Sequence, residues 1–229
     1  MTAGPARQLA LNMQLRDDAT LASFLSAPVL EPLRAQATAA GEPLVFLHGQ
    51  VGSGKSHLLQ AACHLLPATS CYLPLAELAA LPAEDLLQGL ESRQLVCLDD
   101  IDAVAGDEGW ELALFHFCNR ARAAGCRLLL SAAASPRQLP VTLPDLHSRL
   151  GWGPVFQLPA PDDERKQAIL RYRARCRGLD MPAEVSRFLV SRAPRGLAAL
   201  MALLETLDSR SLAEQRALTV PFVKQALGL

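Results

Sequence analysis

The eight residues Gly49-Gln-Val-Gly-Ser-Gly-Lys-Ser56 constrain this chain more than any other stretch. They satisfy the pattern G-x-x-x-x-G-K-[S/T] in the right context, with the apolar run Leu44–His48 before them and helical spacing over Ser56–Leu66 after them. Gly49, Gly52 and Gly54, with Ser53 among them, let successive backbone N–H groups turn inward around a phosphate. The helix that starts near Lys55 aims its positive end at the same place. Lys55 offers a point charge to the β- and γ-phosphates, and the Ser56 hydroxyl completes a Mg2+ shell. His57 follows directly and is grouped with the cradle, although packing on the helix suits it better than catalysis. A Gly/Ser turn ahead of an ordinary helix would use similar residues. Pattern and context together point instead to a nucleoside-triphosphate site. The expected cofactors are ATP or ADP, or another adenine or cytidine nucleotide, with Mg2+; the base is not legible.

Leu95-Val-Cys-Leu-Asp99-Asp100 is an apolar strand ending in two carboxylates. Open α/β sheets bind ligands at the C-terminal ends of their strands, so this strand delivers its acids beside the phosphates. Asp99 is expected to hold Mg2+, directly or through water. Asp100 is expected where a base could orient an attacking water. A strand followed by an acidic turn would look the same; the phosphate loop upstream tips the reading toward function.

Apolar runs alternate with helical patterns through roughly the first 160 residues: Leu44–His48, Ser70–Pro74, Leu95–Asp99, Arg127–Ser131 and Pro154–Leu158 read as strands, and Trp110–Ala124 as a helix. Strands apolar throughout and separated by helices imply a parallel sheet covered on both faces. The expected fold is α/β, a P-loop domain with a five-stranded parallel sheet flanked by helices, followed by a small all-helical lid. Residues 1–18 read as a flexible N-terminal segment, 19–160 as the nucleotide-binding domain and 161–229 as the lid. In the lid, Asp162 or Asp163 caps a helix to about Arg177 that Gly178 ends, Pro182 opens a second, Leu197–Asp208 forms a third, and Thr219 with Pro221 starts the last.

Composition narrows the function classes. The net charge of −1 argues against nucleic-acid binding by bulk electrostatics. Arg165, Arg171, Arg173, Arg175 and Arg177 make one lid helix basic, and a solvated face is the simpler account. The six cysteines are scattered without C-x-x-C pairs and read as small buried hydrophobes of a reducing compartment. No stretch approaches the ~18 apolar residues of a membrane span, and the N-terminus lacks the features of a signal peptide. A cytoplasmic location and no membrane partner are expected. Trp110 and Trp152 read as core or interface residues.

With these residues in hand, the chain resembles the DnaA/Hda family of AAA+ ATPases over nearly its whole length. Leu95–Asp102 (LVCLDDID) is similar to the family's acid strand, and Ser148-Arg-Leu-Gly-Trp-Gly153 to the segment carrying its arginine finger, which puts Arg149 in that role in trans. Leu128–Ser131 followed by Pro136-Arg-Gln resembles the first-sensor strand, and Arg195 falls where the family keeps its second-sensor arginine. Gln8-Leu-Ala-Leu-Asn-Met13 is similar to the family's short clamp-binding peptide. Gln8 offers an amide for hydrogen bonding, while Leu9, Leu11 and Met13 bring apolar contact from an extended segment. No DNA-binding domain or basic run follows the lid. The resemblance therefore implies a regulator of chromosome replication initiation rather than an initiator. Bound to the DNA polymerase III sliding clamp (beta subunit), it would stimulate ATP hydrolysis by DnaA and so prevent re-initiation. DNA would be reached mainly through the clamp, and a homodimer stays open.

One departure bears on enzyme activity. The family's polar first-sensor position falls at Ala133, which cannot hydrogen-bond a phosphate or a water, so weak or no intrinsic ATPase is expected. The competing readings are an autonomous AAA+ ATPase of helicase-loader type acting on DNA, a small-metabolite kinase, and a scaffold stabilised by nucleotide.

Overall fold

A computed structural model describes residues 15–25, 27–38, 41–192 and 196–228. Five strands form one parallel sheet: β1 (Leu44–His48), β2 (Ser70–Pro74), β3 (Leu95–Asp99), β4 (Arg127–Ala132) and β5 (Val155–Gln157), in the order β2-β3-β4-β1-β5. Around them run α1 (Leu30–Ala35), α2 (Lys55–Leu65), α3 (Leu75–Leu78), α4 (Ala83–Leu87), α5 (Glu108–Ala124) and α6 (Pro144–Leu150). Four further helices follow: α7 (Asp163–Cys176), α8 (Ala183–Arg192), α9 (Leu197–Glu214) and α10 (Val220–Leu227). Among the described residues no helix is long and apolar enough to cross a membrane.

The chain divides into two compact units. The first is built chiefly on Ala27–Gln50 and Gly54–Leu158, the second on Pro159–Leu229 with the short pieces Ala22–Ser26 and Val51–Ser53. In the first, every residue of β3 is buried, as are Leu44–Leu47 of β1, because helices cover both faces of the sheet. Helix α2 buries Leu58, Leu59 and Ala62. Helix α5 begins where the Asp107 carboxylate accepts the Trp110 N–H (2.9 Å) and ends at Gly125, whose φ of 73° suits the glycine that stops a helix. It buries Trp110, Leu114 and Phe117 in the core; complete burial of Phe117 alone contributes about 1.5–3 kcal/mol. Four of the six cysteines are buried as expected, Cys71 is half-buried and Cys176 is exposed.

The strand order decides where chemistry can happen. β4 lies between β1 and β3, with Leu47 opposite Ser131 and Leu98 opposite Leu130. The loop leaving β1 and the acids leaving β3 therefore flank the C-terminal end of β4.

The second unit closes its own core around Leu170, Val185, Leu189, Leu204, Phe222 and Val223. Asp162 caps α7 by accepting the Arg165 N–H (2.7 Å), and Thr219 caps α10 by accepting the Phe222 N–H (3.3 Å). The expectation of a solvated basic face on α7 holds for Arg165, Arg171 and Arg175, which are exposed, and is corrected at Arg173. Arg173 is buried and donates to the Ser23 carbonyl (3.4 Å), Arg165 donates to the Leu25 carbonyl (3.0 Å), and Tyr172 donates to the Ala22 carbonyl (2.5 Å). Positions 165, 172 and 173 share one side of a 3.6-residue helix, and there they satisfy the carbonyls of a neighbouring stretch. Arg177 pairs with Glu205 at 3.6 Å. Arg165, Arg171 and Arg175 stay exposed.

Candidate functional site

The phosphate loop leaves β1 at Gly49 and becomes α2 at Lys55. Gly52 (φ 82°) and Gly54 (φ 98°) adopt left-handed backbone, which any larger residue would enter at a cost of about 1–2 kcal/mol. The Lys55 side chain is buried, and its ammonium donates to the carbonyls of Gly49 (2.7 Å) and Gln50 (3.4 Å). An ammonium has three protons, so capacity for an anion remains. The Ser53 hydroxyl oxygen is buried and has no hydrogen-bond partner among the described residues. An unsatisfied buried hydroxyl costs about 1–3 kcal/mol, which a phosphate oxygen beside it would relieve. Ser56 is exposed at the first turn of α2. One hydroxyl (Ser56) and one carboxylate (Asp99) fit a Mg2+ ion whose other ligands are phosphate oxygens and water.

Asp99 is buried, and both of its carboxylate oxygens are engaged. Tyr72 from β2 donates to Oδ2 at 2.7 Å, and Ser131 from β4 donates to Oδ1. The Ser131 oxygen in turn accepts the Asp100 N–H at 3.1 Å. Burial pushes the Tyr72 hydroxyl pKa far up, and the Asp99 charge adds to this, so the phenol stays a donor. Asp100 turns into left-handed backbone (φ 57°, ψ 56°), a strained conformation that redirects its half-buried side chain as the chain leaves β3. Its carboxyl is raised above the ordinary range by burial first, then by Asp99 and Asp102, with Lys55 opposing. A carboxylate made more basic in this way suits a proton acceptor. Lys55 also helps burial to lower the His48 imidazole. Its field thus reaches the acids and the end of β1 together, so the loop and the acid strand make one electrostatic site.

Other expected residues lie elsewhere. The His57 ring Nε2 is 3.1 Å from the Thr20 carbonyl, which ties it to the chain ahead of α1. The Ala133 N–H donates to Asp102 (2.9 Å), and its methyl adds no polar group at the sensor position. Gln8, Leu9, Leu11, Met13 and Arg195 lie outside the described residues.

Arg149, in the last turn of α6, keeps company with α5. Its Nε donates to the Asn119 side-chain oxygen at 3.0 Å and Nη1 to the Ser148 hydroxyl at 3.3 Å. The guanidinium carbon stands 4.3 Å from the Trp152 ring centroid and 5.4 Å from that of Phe115. Arg122 approaches Trp152 as well, at 4.4 Å. Each such cation–π contact contributes about 0.5–1 kcal/mol at an exposed site, enough to orient the group. Among the described residues no carboxylate forms an ion pair with Arg149. The result is a half-buried, oriented and uncompensated positive charge. Trp152, more than a third exposed, is a surface platform rather than core.

The glycine that follows has a separate reason. A Cβ at Gly153 would lie 2.7 Å from the carbonyl carbon of Leu44 and closer still to its oxygen. The chain must pass that close so that Phe46 can donate to the Pro154 carbonyl (3.0 Å) and β5 can join β1. Tyr72, Ser131, Phe115, Asn119 and Glu111 were not singled out by sequence reasoning. Tyr72 and Ser131 had a faint signal, as polar ends of apolar strands at the depth of Asp99.

Residues 163–227 match the family described as Hda, lid domain. An uncharacterized protein of Haemophilus influenzae is 41% identical over 230 residues, 97% of this chain and 99% of that protein. Domain III of the Thermotoga maritima replication initiation protein DnaA has a similar structure, with TM-score 0.75 and 22% identity, covering 94% of this chain and 98% of that one. DnaA from Aquifex aeolicus bound to AMPPCP gives a TM-score of 0.71 at 22% identity, covering 87% of this chain and 67% of that one.

Proposed function

The chain belongs to the Hda-like, DnaA-homologous AAA+ proteins, and from that premise we propose that it is a nucleotide-binding regulator of chromosome replication initiation that supplies Arg149 in trans to the ATP site of DnaA. The observation that carries this reading is the setting of Arg149. The guanidinium is oriented by Asn119, Phe115 and Trp152, and no carboxylate among the described residues neutralises it. A charge held that way has little to do inside its own subunit and much to offer a neighbour's phosphates. Gln8, Leu9, Leu11 and Met13 dock the protein on the sliding clamp, and the clamp brings it to DNA.

Lys55, Ser53 and the glycine turns hold the nucleotide, while Ser56 and Asp99 face its metal. Bound Mg2+ nucleotide supplies the counter-charge this cradle is built around and so fixes the pose of the subunit. Self-hydrolysis is weak. Asp100 is positioned as a base, but Ala133 leaves the sensor position without a polar side chain.

The test is labelled-ATP hydrolysis by purified DnaA with this protein and clamp loaded on DNA. A trans-acting arginine is typically worth ~10³–10⁵ in rate. Arg149→Ala therefore loses the stimulation while keeping nucleotide affinity, and undiminished stimulation discards the assignment.

A further inference from the structure

Glu111 is a carboxylate buried to 1% exposure with no cationic partner among the described residues. Such a group is costly to bury unless hydrogen bonds replace its hydration. Here they do. Oε1 accepts the Gly106 N–H at 2.7 Å and the Thr142 N–H at 3.0 Å. Oε2 accepts the Thr142 N–H (3.0 Å), the Thr142 hydroxyl (2.8 Å) and the Leu143 N–H (2.7 Å). Burial acts to raise its pKa, and the bonds from Thr142, Gly106 and Leu143 outweigh it, so Glu111 titrates below the ordinary range.

Thr142 and Leu143 are the residues that lead into α6, and Leu143 occupies its N-cap position. Leucine has no side-chain oxygen with which to cap a helix, and Glu111 instead takes the N–H of Leu143 itself and of Thr142 just ahead of it, which fixes the chain's entry into α6. Glu111, Phe115 and Asn119 follow one another at four-residue intervals and line one side of α5. Glu111 grips the start of α6, and Phe115 with Asn119 grips Arg149 near its end. The span from 111 to 119 is roughly 12 Å and that from 143 to 149 roughly 9 Å at 1.5 Å rise per residue, so the anchors match along two helices running the same way. Gly106 belongs to the loop that leaves the acid strand, so the same carboxylate ties that loop to α6.

We infer that Glu111 is a positioning residue for Arg149, fixing the start of α6 so that its far end presents the guanidinium in one place. This rests on the trans-acting reading of Arg149 given above. A displacement of about 1 Å at a reacting centre can cost on the order of a hundredfold in rate, so the expected defect is in maximal stimulation.

The experiment uses the full chain with Glu111→Gln and, as a milder change, Thr142→Val. Two readouts are taken: the DnaA-stimulation titration, and the 19F spectrum of protein labelled with 5-fluorotryptophan, with Trp152 assigned by Trp152→Phe. Both variants are expected to lower maximal stimulation, Glu111→Gln by about tenfold or more, with the half-saturating concentration and nucleotide affinity unchanged. The Trp152 resonance should move, and Glu111→Gln should add nothing in an Arg149→Ala background. Wild-type stimulation and an unmoved Trp152 resonance in folded variants overturn the inference and leave Glu111 a purely structural group. Should Arg149→Ala itself leave stimulation intact, the earlier reading fails on its own. The Trp152 resonance then decides this one alone: moved supports it, unmoved overturns it.

Discussion

Replacing Gly153 by alanine tests how closely β5 approaches β1. The added Cβ would stand 2.7 Å from the Leu44 carbonyl carbon, nearer to its oxygen, and 3.4 Å from its Cα. All three are backbone atoms, so no rotamer change relieves the clash, and the two segments must part. That weakens the Phe46 N–H to Pro154 carbonyl bond (3.0 Å) and the short ladder through Leu158 N–H to the His48 carbonyl (2.7 Å). Two or three such bonds at about 1 kcal/mol each, with about 1–3 kcal/mol for overpacking, give roughly 3–6 kcal/mol. At ~2–4 °C per kcal/mol for a chain of this size, the melting temperature should fall by about 10 °C. Gly151 provides the control. Its φ of −94° suits alanine, and a Cβ there meets only the Ser148 carbonyl at 3.7 Å. Gly151→Ala should therefore stay within about 0.5 kcal/mol of the wild type. Thermal unfolding followed by circular dichroism reads both. If Gly153→Ala melts like Gly151→Ala, the close-approach reasoning is wrong.

Two further outcomes are expected. Lys55→Ala should weaken Mg2+-ATP binding in calorimetry on the order of 10–100-fold, the value of one charge-assisted hydrogen bond of ~1.5–3 kcal/mol, and should raise the His48 imidazole pKa in NMR titration; unchanged affinity would remove Lys55 from the cradle. The folded-state pKa of Glu111 lies below its ordinary 4.5, so its stabilisation is complete above that value and is lost as pH falls from it through the folded pKa. The melting-temperature gap between the wild type and Glu111→Gln should narrow over that window, and a gap independent of pH would refute the linkage.

Much of this was legible in one dimension because it is contiguous there. The apolar runs Leu44–His48, Ser70–Pro74 and Leu95–Asp99 became strands with those bounds, and the Gly-rich segment joins a strand to a helix as its pattern required. Helix α6 escaped because seven residues with only Leu146 and Leu150 buried give no readable period. Helix α9 was expected to stop at Asp208 and continues to Glu214, since Ser211 is buried and its hydroxyl bonds the Arg216 carbonyl, turning a polar run into helix. The supports of the site were invisible for another reason. Tyr72 reaches Asp99, Asn119 reaches Arg149 and Glu111 reaches Thr142 across the fold, and no local spacing announces such meetings.

Helix α7 shows what this does to an inference from charge. Five arginines in thirteen positions suggest a rail for a polyanion, yet Arg165, Arg173 and Arg177 are turned to carbonyl oxygens and to Glu205. Arg171 and Arg175 face water, and Arg165 keeps exposed surface beside its hydrogen bond. Each phosphate neutralised on duplex DNA steepens the salt dependence of binding by about 0.9 in log–log slope, so three exposed arginines could contribute a slope of at most about three. The helix thus serves in good part as a fastening for its own chain.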